Sequence, residues 1–345
     1  MNNNFDFDFE PQEITMTETE IKKHKGVFSR LCLAFVVYLI TVEILSFGLI
    51  SLLQKVAPEI LSNTNYTLIL SSAIQYLIAF PILYLVIKKV PAHKPEGSEF
   101  PLKRFLKLAM VGMFLMYIGN YVSSMIMIYM EELLGFVPVN SIETILEQTN
   151  PILAIAIVGI IGPIVEELMF RKLFIDRLTP YGEAVAIFFP SLMFGLIHGN
   201  LYQFFYAFLL GVAFSYIYIR SGKIIYSTLL HIFVNLFCGV FPAYILTMFN
   251  YEEFLQLMAE GTVTEEYINA NMLPLILLMA YEFIMLAMVG VGVYHFTKNL
   301  RNIRINKGKV RFAKGTGAEI MFFNIGTILL IAYCVIMIAV NTFTV

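Results

Sequence analysis

Long apolar runs, separated by short polar segments, make up most of this chain. A membrane-spanning helix needs about 20 consecutive apolar residues, and nine runs approach that length. They lie near residues 30–53, 67–87, 105–130, 152–178, 183–199, 202–219, 224–248, 273–296 and 318–342. The pattern predicts an all-α, polytopic membrane helix bundle with about nine transmembrane helices.

Composition supports the same class. The chain is 59% hydrophobic and only 14% charged, which exceeds the apolar content that a soluble core of 345 residues needs. A net charge of −2 argues against nucleic acid as a partner. Cys32, Cys238 and Cys334 lie in apolar runs without a CxxC spacing, so we expect small buried residues rather than redox chemistry.

Basic residues fall on one side of the predicted bundle. With the N-terminus in the cytoplasm, every Lys and Arg except Lys55 belongs to a segment that faces inward. The positive-inside rule therefore predicts an N-in, C-out arrangement. Residues 1–29 are polar and lack a signal-type cleavage site. We predict a cytoplasmic tail over 1–29 and one membrane domain over 30–345.

Charged residues inside the fourth run are the first candidate site. Charges in a membrane segment are costly, and they usually face a cavity or the protein interior. Glu167 and Arg171 are four residues apart and share a helix face, whereas the adjacent Glu166 points elsewhere. The spacing predicts one paired and one free carboxylate. For this motif alone, a purely structural ion pair between helices is an equal alternative.

Two histidines and an asparagine lie in later runs at a comparable depth. Counting 1.5 Å per residue from the predicted inner ends places Glu166 roughly 18 Å deep, His198 roughly 22 Å, His231 roughly 10 Å and Asn235 roughly 16 Å. This set contains a base, a proton donor and donors for a developing oxyanion, as water-mediated amide hydrolysis requires. Taken singly, each residue suits interhelical hydrogen bonding equally well.

In chain order, these residues form three motifs. They are EExxxR at 166–171, FxxxH at 194–198 and HxxxN at 231–235. The ordered trio resembles the CPBP family of intramembrane proteases, which includes type II CAAX prenyl endopeptidases and bacterial proteases of the abortive-infection and bacteriocin-immunity groups. The resemblance covers about residues 150–240, the predicted catalytic core.

The resemblance implies a role for each motif residue in a catalytic tetrad. Glu166 would activate a water molecule, and His198 would assist it and shuttle the proton. His231 and Asn235 would supply the oxyanion hole. The implied function is hydrolysis of a peptide bond in a cavity open to the cytoplasmic side, in CAAX-type or leader-peptide-type processing.

The remaining motif residues would support that site. Glu167 and Arg171 would brace it, and Phe194 would shape the pocket. Two histidines and two glutamates are also a plausible zinc set, but no HExxH motif is present and the imidazoles come from different helices. We therefore predict no metal and no cofactor, with zinc as the alternative.

Two other function classes stay open. A proton-coupled carrier would also place carboxylates and histidines at mid-membrane, although no inverted repeat is evident. A non-catalytic scaffold would keep the fold, yet every expected catalytic side-chain type is present. The predicted partners are a peptide or membrane-protein substrate and the lipid bilayer. The composition points to a multi-pass protein of a bacterial plasma membrane.

Overall fold

The computed structural model describes residues 15–135 and 141–343, so the first 14 residues of the predicted tail lie outside it. Within the described residues the chain is helical and forms no β-strand, which confirms the all-α prediction. Nine apolar helices make up most of the described structure. They are α1 Glu18–Val56, α2 Thr64–Ile87, α3 Leu102–Leu134, α4 Pro151–Tyr181, α5 Glu183–Ile197, α6 Leu201–Ser221, α7 Ile224–Leu246, α8 Met272–Asn299 and α9 Ile325–Phe343.

Shorter helices connect these elements. They are Pro58–Leu61, Ser141–Gln148, Tyr251–Glu260, Glu265–Ala270 and Thr316–Phe322. Helix α1 begins at Glu18, where the Thr17 side chain accepts a hydrogen bond from the Glu20 amide and forms a capping box. Residues 18–29, which the sequence assigns to the tail, therefore continue the first helix.

Among the described residues, eight of the nine helices are long and apolar enough to cross a membrane. The exception is α5, which has 15 residues. At 1.5 Å per residue it is about 22 Å long, less than the roughly 30 Å hydrocarbon thickness. It is short because Gly182 and Gly199 bound it with φ of 95° and 66°. The span count and the orientation stay predictions.

The α4 helix changes its winding around the two glutamates. Glu166 and Glu167 end an α-helical segment, Gly162–Glu167, which is flanked by π-helical turns over Ala154–Ile161 and Leu168–Ile175. Helix α7 contains a similar π-helical segment, Asn235–Val240, and packs against α4 there. Such wide turns often accompany functional sites, because they re-aim side chains within a helix.

Helix α6 packs extensively against both α3 and α5. Two glycines allow this close approach. A Cβ on Gly119 of α3 would lie 2.5 Å from the Tyr206 Cα, and a Cβ on Gly195 of α5 would lie 2.8 Å from the Phe204 carbonyl oxygen. Small residues let membrane helices approach to backbone contact. The position of α6 relative to both neighbours is therefore set tightly.

An aromatic core joins α1 to α4 and α5. The Phe35 and Phe170 ring centroids are 5.1 Å apart, the Phe28 and Phe189 centroids 5.1 Å, and the Phe174 and Phe189 centroids 5.9 Å. All five side chains are fully or almost fully buried. Offset and edge-to-face ring pairs add to the energy of burial. Helix α1 is thus a structural part of the core.

Hydrogen bonds group the connecting segments into two ends, in agreement with the charge pattern. At the predicted inner end, the Ser98 amide donates to the Arg220 carbonyl at 2.9 Å. Arg220 in turn forms a two-bond ion pair with Glu183, and the Asn306 amide donates to the same carboxylate. At the other end, the Asn150 amide donates to the Asn65 side chain at 2.7 Å.

Candidate active site

Glu167 is the central acceptor of a buried polar cluster. Its Oε1 lies 3.2 Å from Nη2 of Arg171, and both side chains have no exposed surface. The same oxygen lies 3.1 Å from Nδ1 of His231 on α7. A buried carboxylate is tolerated when a cation and hydrogen-bond donors face it. Glu167 on α4 therefore connects the EExxxR motif to the HxxxN motif on α7.

Glu166 differs from its neighbour in both exposure and contacts. Its side chain is 34% exposed, and its Oε2 lies 3.5 Å from Nε2 of His231. That distance is too long for a good hydrogen bond, so the carboxylate keeps oxygens available to water. His231 thus stands between the two glutamates, with one ring nitrogen towards each.

Arg171 is held between two aromatic rings. Its guanidinium carbon lies 5.0 Å from the Phe194 ring centroid and 5.2 Å from that of Phe214. The His231 ring stacks on the Phe214 ring, with 4.7 Å between their centroids. No described residue accepts a hydrogen bond from the guanidinium. Its charge is therefore balanced by Glu167 and by the two ring faces.

His198 follows the last residue of α5, where its ring is oriented by the end of that helix. Nδ1 lies 2.6 Å from the Phe194 carbonyl oxygen. A carbonyl can only accept, so Nδ1 carries a proton, and Nε2 is the nitrogen left for proton transfer. Helix α9 stabilises this turn, because the side-chain amide of Asn341 donates a hydrogen bond to the Gly199 carbonyl at 2.8 Å.

Asn235 faces α4 one turn beyond His231. Its Nδ2 donates to the Val158 carbonyl at 3.0 Å, inside the π-helical part of α4. A carboxamide has two N–H bonds, so one amide proton fixes the side chain and the other is left for a further acceptor.

Three tyrosines that the motif pattern does not identify lie near Glu166. The hydroxyl groups of Tyr38 on α1, Tyr76 on α2 and Tyr206 on α6 all lie within electrostatic range of its carboxylate. The Tyr76 hydroxyl packs on Gly162, one helical turn before Glu166, and would lie 3.2 Å from a Cβ added to that glycine. A tyrosine in an apolar run has no signature of its own, so only the packing identifies it.

A hydrogen-bond chain connects Tyr206 to the His198 turn. The side-chain amide of Asn200 donates to the His198 carbonyl at 3.0 Å and to the Gln203 side-chain oxygen at 2.7 Å. The side-chain amide of Gln203 then donates to the Tyr206 hydroxyl oxygen at 2.9 Å. Because Tyr206 accepts this bond, its own proton is free to be donated to another group. Sequence reasoning missed Tyr38, Tyr76, Phe214 and this series of hydrogen bonds.

The described residues bring together an accessible carboxylate, two imidazoles and a buried carboxylate–arginine pair. The His198 and His231 rings both contact the Phe194 ring, with centroid distances of 4.9 Å and 5.7 Å. These groups are components of general acid–base hydrolysis. Within the described part of the chain, no group of three His, Cys, Asp or Glu side chains is arranged to hold a metal ion.

Comparison with known proteins gives three matches. Residues 148–237 match the family model described as type II CAAX prenyl endopeptidase Rce1-like. The chain is 25% identical over 172 residues to "Putative membrane peptidase YdiL" of Bacillus subtilis (strain 168), covering 48% of this chain and 68% of that protein. It is also 25% identical over 159 residues to "UPF0177 protein YxdF" of Lactococcus lactis subsp. lactis (strain IL1403), covering 46% and 88%. No solved structure matches the chain significantly.

The matched segment contains the EExxxR, FxxxH and HxxxN motifs in full. It also coincides with the predicted catalytic core at about 150–240. With eight apolar helices of spanning length among the described residues, the protein is an integral, multi-pass membrane protein. The resemblance predicted from the sequence is confirmed for residues 148–237, the segment that matches the type II CAAX prenyl endopeptidase Rce1-like model.

Proposed function

We propose that this protein is an intramembrane endopeptidase in which Glu166 activates the water that attacks the peptide carbonyl. The observation that carries the proposal is the difference between the two adjacent glutamates. Glu167 is fully buried beside Arg171, whereas the Glu166 side chain is 34% exposed. A carboxylate that acts as a base must reach water. Only Glu166 has that access.

Proton transfer falls to His198 in this proposal. Its Nδ1 is committed to the Phe194 carbonyl, so its Nε2 can take the proton from Glu166 or water and deliver it to the leaving amine. A base and a shuttle on different helices meet the two proton transfers that amide hydrolysis requires.

His231 and Asn235 are proposed to stabilise the oxyanion. His231 Nδ1 contacts the Glu167 carboxylate, while Nε2 is directed towards Glu166. An imidazolium donates from both nitrogens, so Glu167 would balance a positive charge whose other donor faces the reacting carbonyl. The second Asn235 amide proton would add a neutral donor. Preorganised donors of this kind typically contribute a large share of catalysis.

The proposed mechanism uses no metal, with zinc as the alternative. The proposed substrate is a peptide or membrane protein that reaches the cavity from the cytoplasmic side, in CAAX-type or leader-peptide-type processing. The name of the Bacillus subtilis relative, a membrane peptidase, supports this substrate class. Both relatives are bacterial proteins, which supports a bacterial plasma membrane as the location.

The test is cleavage of a quenched fluorogenic peptide library by the purified, detergent-solubilised protein. Glu166→Gln keeps the size of the side chain but removes the base, so we expect turnover to fall by about 10²- to 10⁴-fold. The matched control is Glu282→Gln, which makes the same change at an exposed position of α8. It should cleave like the wild type, and all three proteins should have the same melting temperature.

Each outcome has a distinct meaning. Near-normal cleavage by Glu166→Gln would remove this residue from the mechanism. Loss of wild-type activity in EDTA, restored only by Zn²⁺, would replace the metal-free mechanism with a metalloprotease. A folded wild type that cleaves no peptide would favour a carrier or a scaffold.

A further inference from the structure

A groove unrelated to the catalytic cluster lies between two membrane helices. It has a volume of about 450 Å³ and forms where the start of α3 passes the end of α8. Leu102, Leu106, Met110 and Val291 provide its apolar lining. Most of these side chains are strongly exposed in the described structure, so in a bilayer the groove faces lipid.

The walls of the groove are held together at one crossing point. Gly292 of α8 packs on the Met110 carbonyl and on the Phe114 side chain, and a Cβ there would overlap both. The Phe114 and Phe296 rings, with centroids 5.5 Å apart, add a second contact across the same pair of helices. The groove is therefore a fixed feature of the α3 and α8 packing.

Positive charge collects at the groove. Lys103, Lys107 and His295 complete its lining. Lys298 lies close by, because its Nζ donates to the Tyr294 hydroxyl at 3.0 Å, and Lys107 is within electrostatic range of that same hydroxyl. None of the ion pairs formed by the described residues neutralises these three lysines.

We propose that this groove is a binding site for an anionic phospholipid. An acyl chain would lie along Leu106, Met110 and Val291, and the phosphate would bind Lys103 and Lys107. The chemistry follows from the juxtaposition of an apolar channel with uncompensated cations at a helix end. Basic pockets between transmembrane helices bind acidic lipid headgroups for this reason. The proposal depends neither on the proteolytic mechanism nor on which side of the membrane the groove occupies.

The test measures lipid binding to the full chain in detergent by native mass spectrometry, with phosphatidylglycerol and phosphatidylcholine as probes. We expect the wild type to prefer phosphatidylglycerol by at least about tenfold, and Lys103→Gln/Lys107→Gln to lose that preference. Lys309→Gln/Lys314→Gln removes the same charge from exposed positions elsewhere. This control should bind like the wild type.

A second variant tests the apolar half of the site. Val291→Trp fills the groove but leaves every charge in place, and it should weaken phosphatidylglycerol binding to a similar extent. If Val291→Trp binds phosphatidylglycerol as well as the wild type does, charge alone attracts the lipid and the groove does not hold its acyl chain. Inorganic phosphate at millimolar concentration should not displace the lipid. Displacement of the lipid by phosphate would show that the lysines bind any anion and would overturn the lipid site. Unchanged phosphatidylglycerol preference in Lys103→Gln/Lys107→Gln would overturn the proposal as well.

Discussion

Glu166 and Glu167 are chemically identical neighbours whose surroundings give them different properties. Consecutive helical residues point about 100° apart, so one carboxylate enters the core and the other faces accessible space. Glu167 meets Arg171 and His231 there, at 3.2 Å and 3.1 Å. The ion-pair contact that Glu166 makes with the described residues is the 3.5 Å approach of His231. The proposed division into a bracing and a reacting residue follows from this difference.

The first prediction at this scale concerns Arg171. Replacement by Ala leaves Glu167 as a buried charge without its cation, so we expect a loss of about 3–5 kcal/mol in the free energy of unfolding. Activity should fall as well, because Glu167 also orients His231. Thermal melting in detergent measures the stability, with exposed Arg311→Ala as the control.

A double variant separates the ion pair from packing. Glu167→Gln/Arg171→Met removes both charges at similar volume, and it should melt closer to the wild type than Arg171→Ala does. An Arg171→Ala protein that melts like the wild type would show that the pair does not brace the site.

At the scale of helices, the site depends on how closely α3, α6 and α5 approach one another. Tyr206 lies where α6 contacts Gly119, and Phe204 lies where it contacts Gly195. The chain of hydrogen bonds from the His198 turn ends on the same Tyr206. Packing of α6 therefore also positions polar groups near Glu166.

The element-scale prediction uses this contact. Gly119→Ala places a methyl group 2.5 Å from the Tyr206 Cα, so the helices must separate, at a cost of about 1–3 kcal/mol. We expect a lower melting temperature and reduced peptide cleavage. Gly48→Ala is the matched control, since nothing lies within 4 Å of a Cβ on Gly48 in α1. Equal melting of the two variants would argue against tight α3–α6 packing.

For the whole molecule, charge and hydrogen bonding agree on which segments share an end of the bundle. Glu183 binds both Arg220 and Asn306, so the turn after α6 and the basic segment after α8 meet at the start of α5. All three belong to segments predicted to face the cytoplasm. The structure thus shows which segments meet at one end of the bundle. Which side of the membrane that end faces is a prediction from the positive-inside rule.

Cysteine labelling tests that placement. In the N-in arrangement, Lys55→Cys should react with a membrane-impermeant maleimide on intact cells, and Lys309→Cys should react only after permeabilisation. The wild type is the control, since Cys32 and Cys334 are buried and Cys238 is partly buried. The reverse labelling pattern would invert the predicted orientation.

Much of the fold and part of the site could be predicted from the sequence alone. Apolar run length depends only on local composition, so eight helices of spanning length matched predicted runs. The run at 183–199 is predicted as a span like the others, but two glycine-bounded turns shorten its helix to 15 residues. The three ordered motifs sufficed to recognise the family resemblance, since their residue types and spacing are properties of the chain itself.

Tertiary structure alone decided which side chains meet across helices. Phe214 lies in an apolar run without any motif, yet it stacks on His231 and covers Arg171. Tyr76 carries no sequence signal, but its hydroxyl lies over Gly162. The physical reason is that helix spacing fixes the face a residue occupies, whereas the partner opposite that face depends on how distant helices pack. The sequence therefore determined the membrane class and the three candidate motifs, and the packing of α1, α2 and α6 against α4 decided which side chains lie near Glu166.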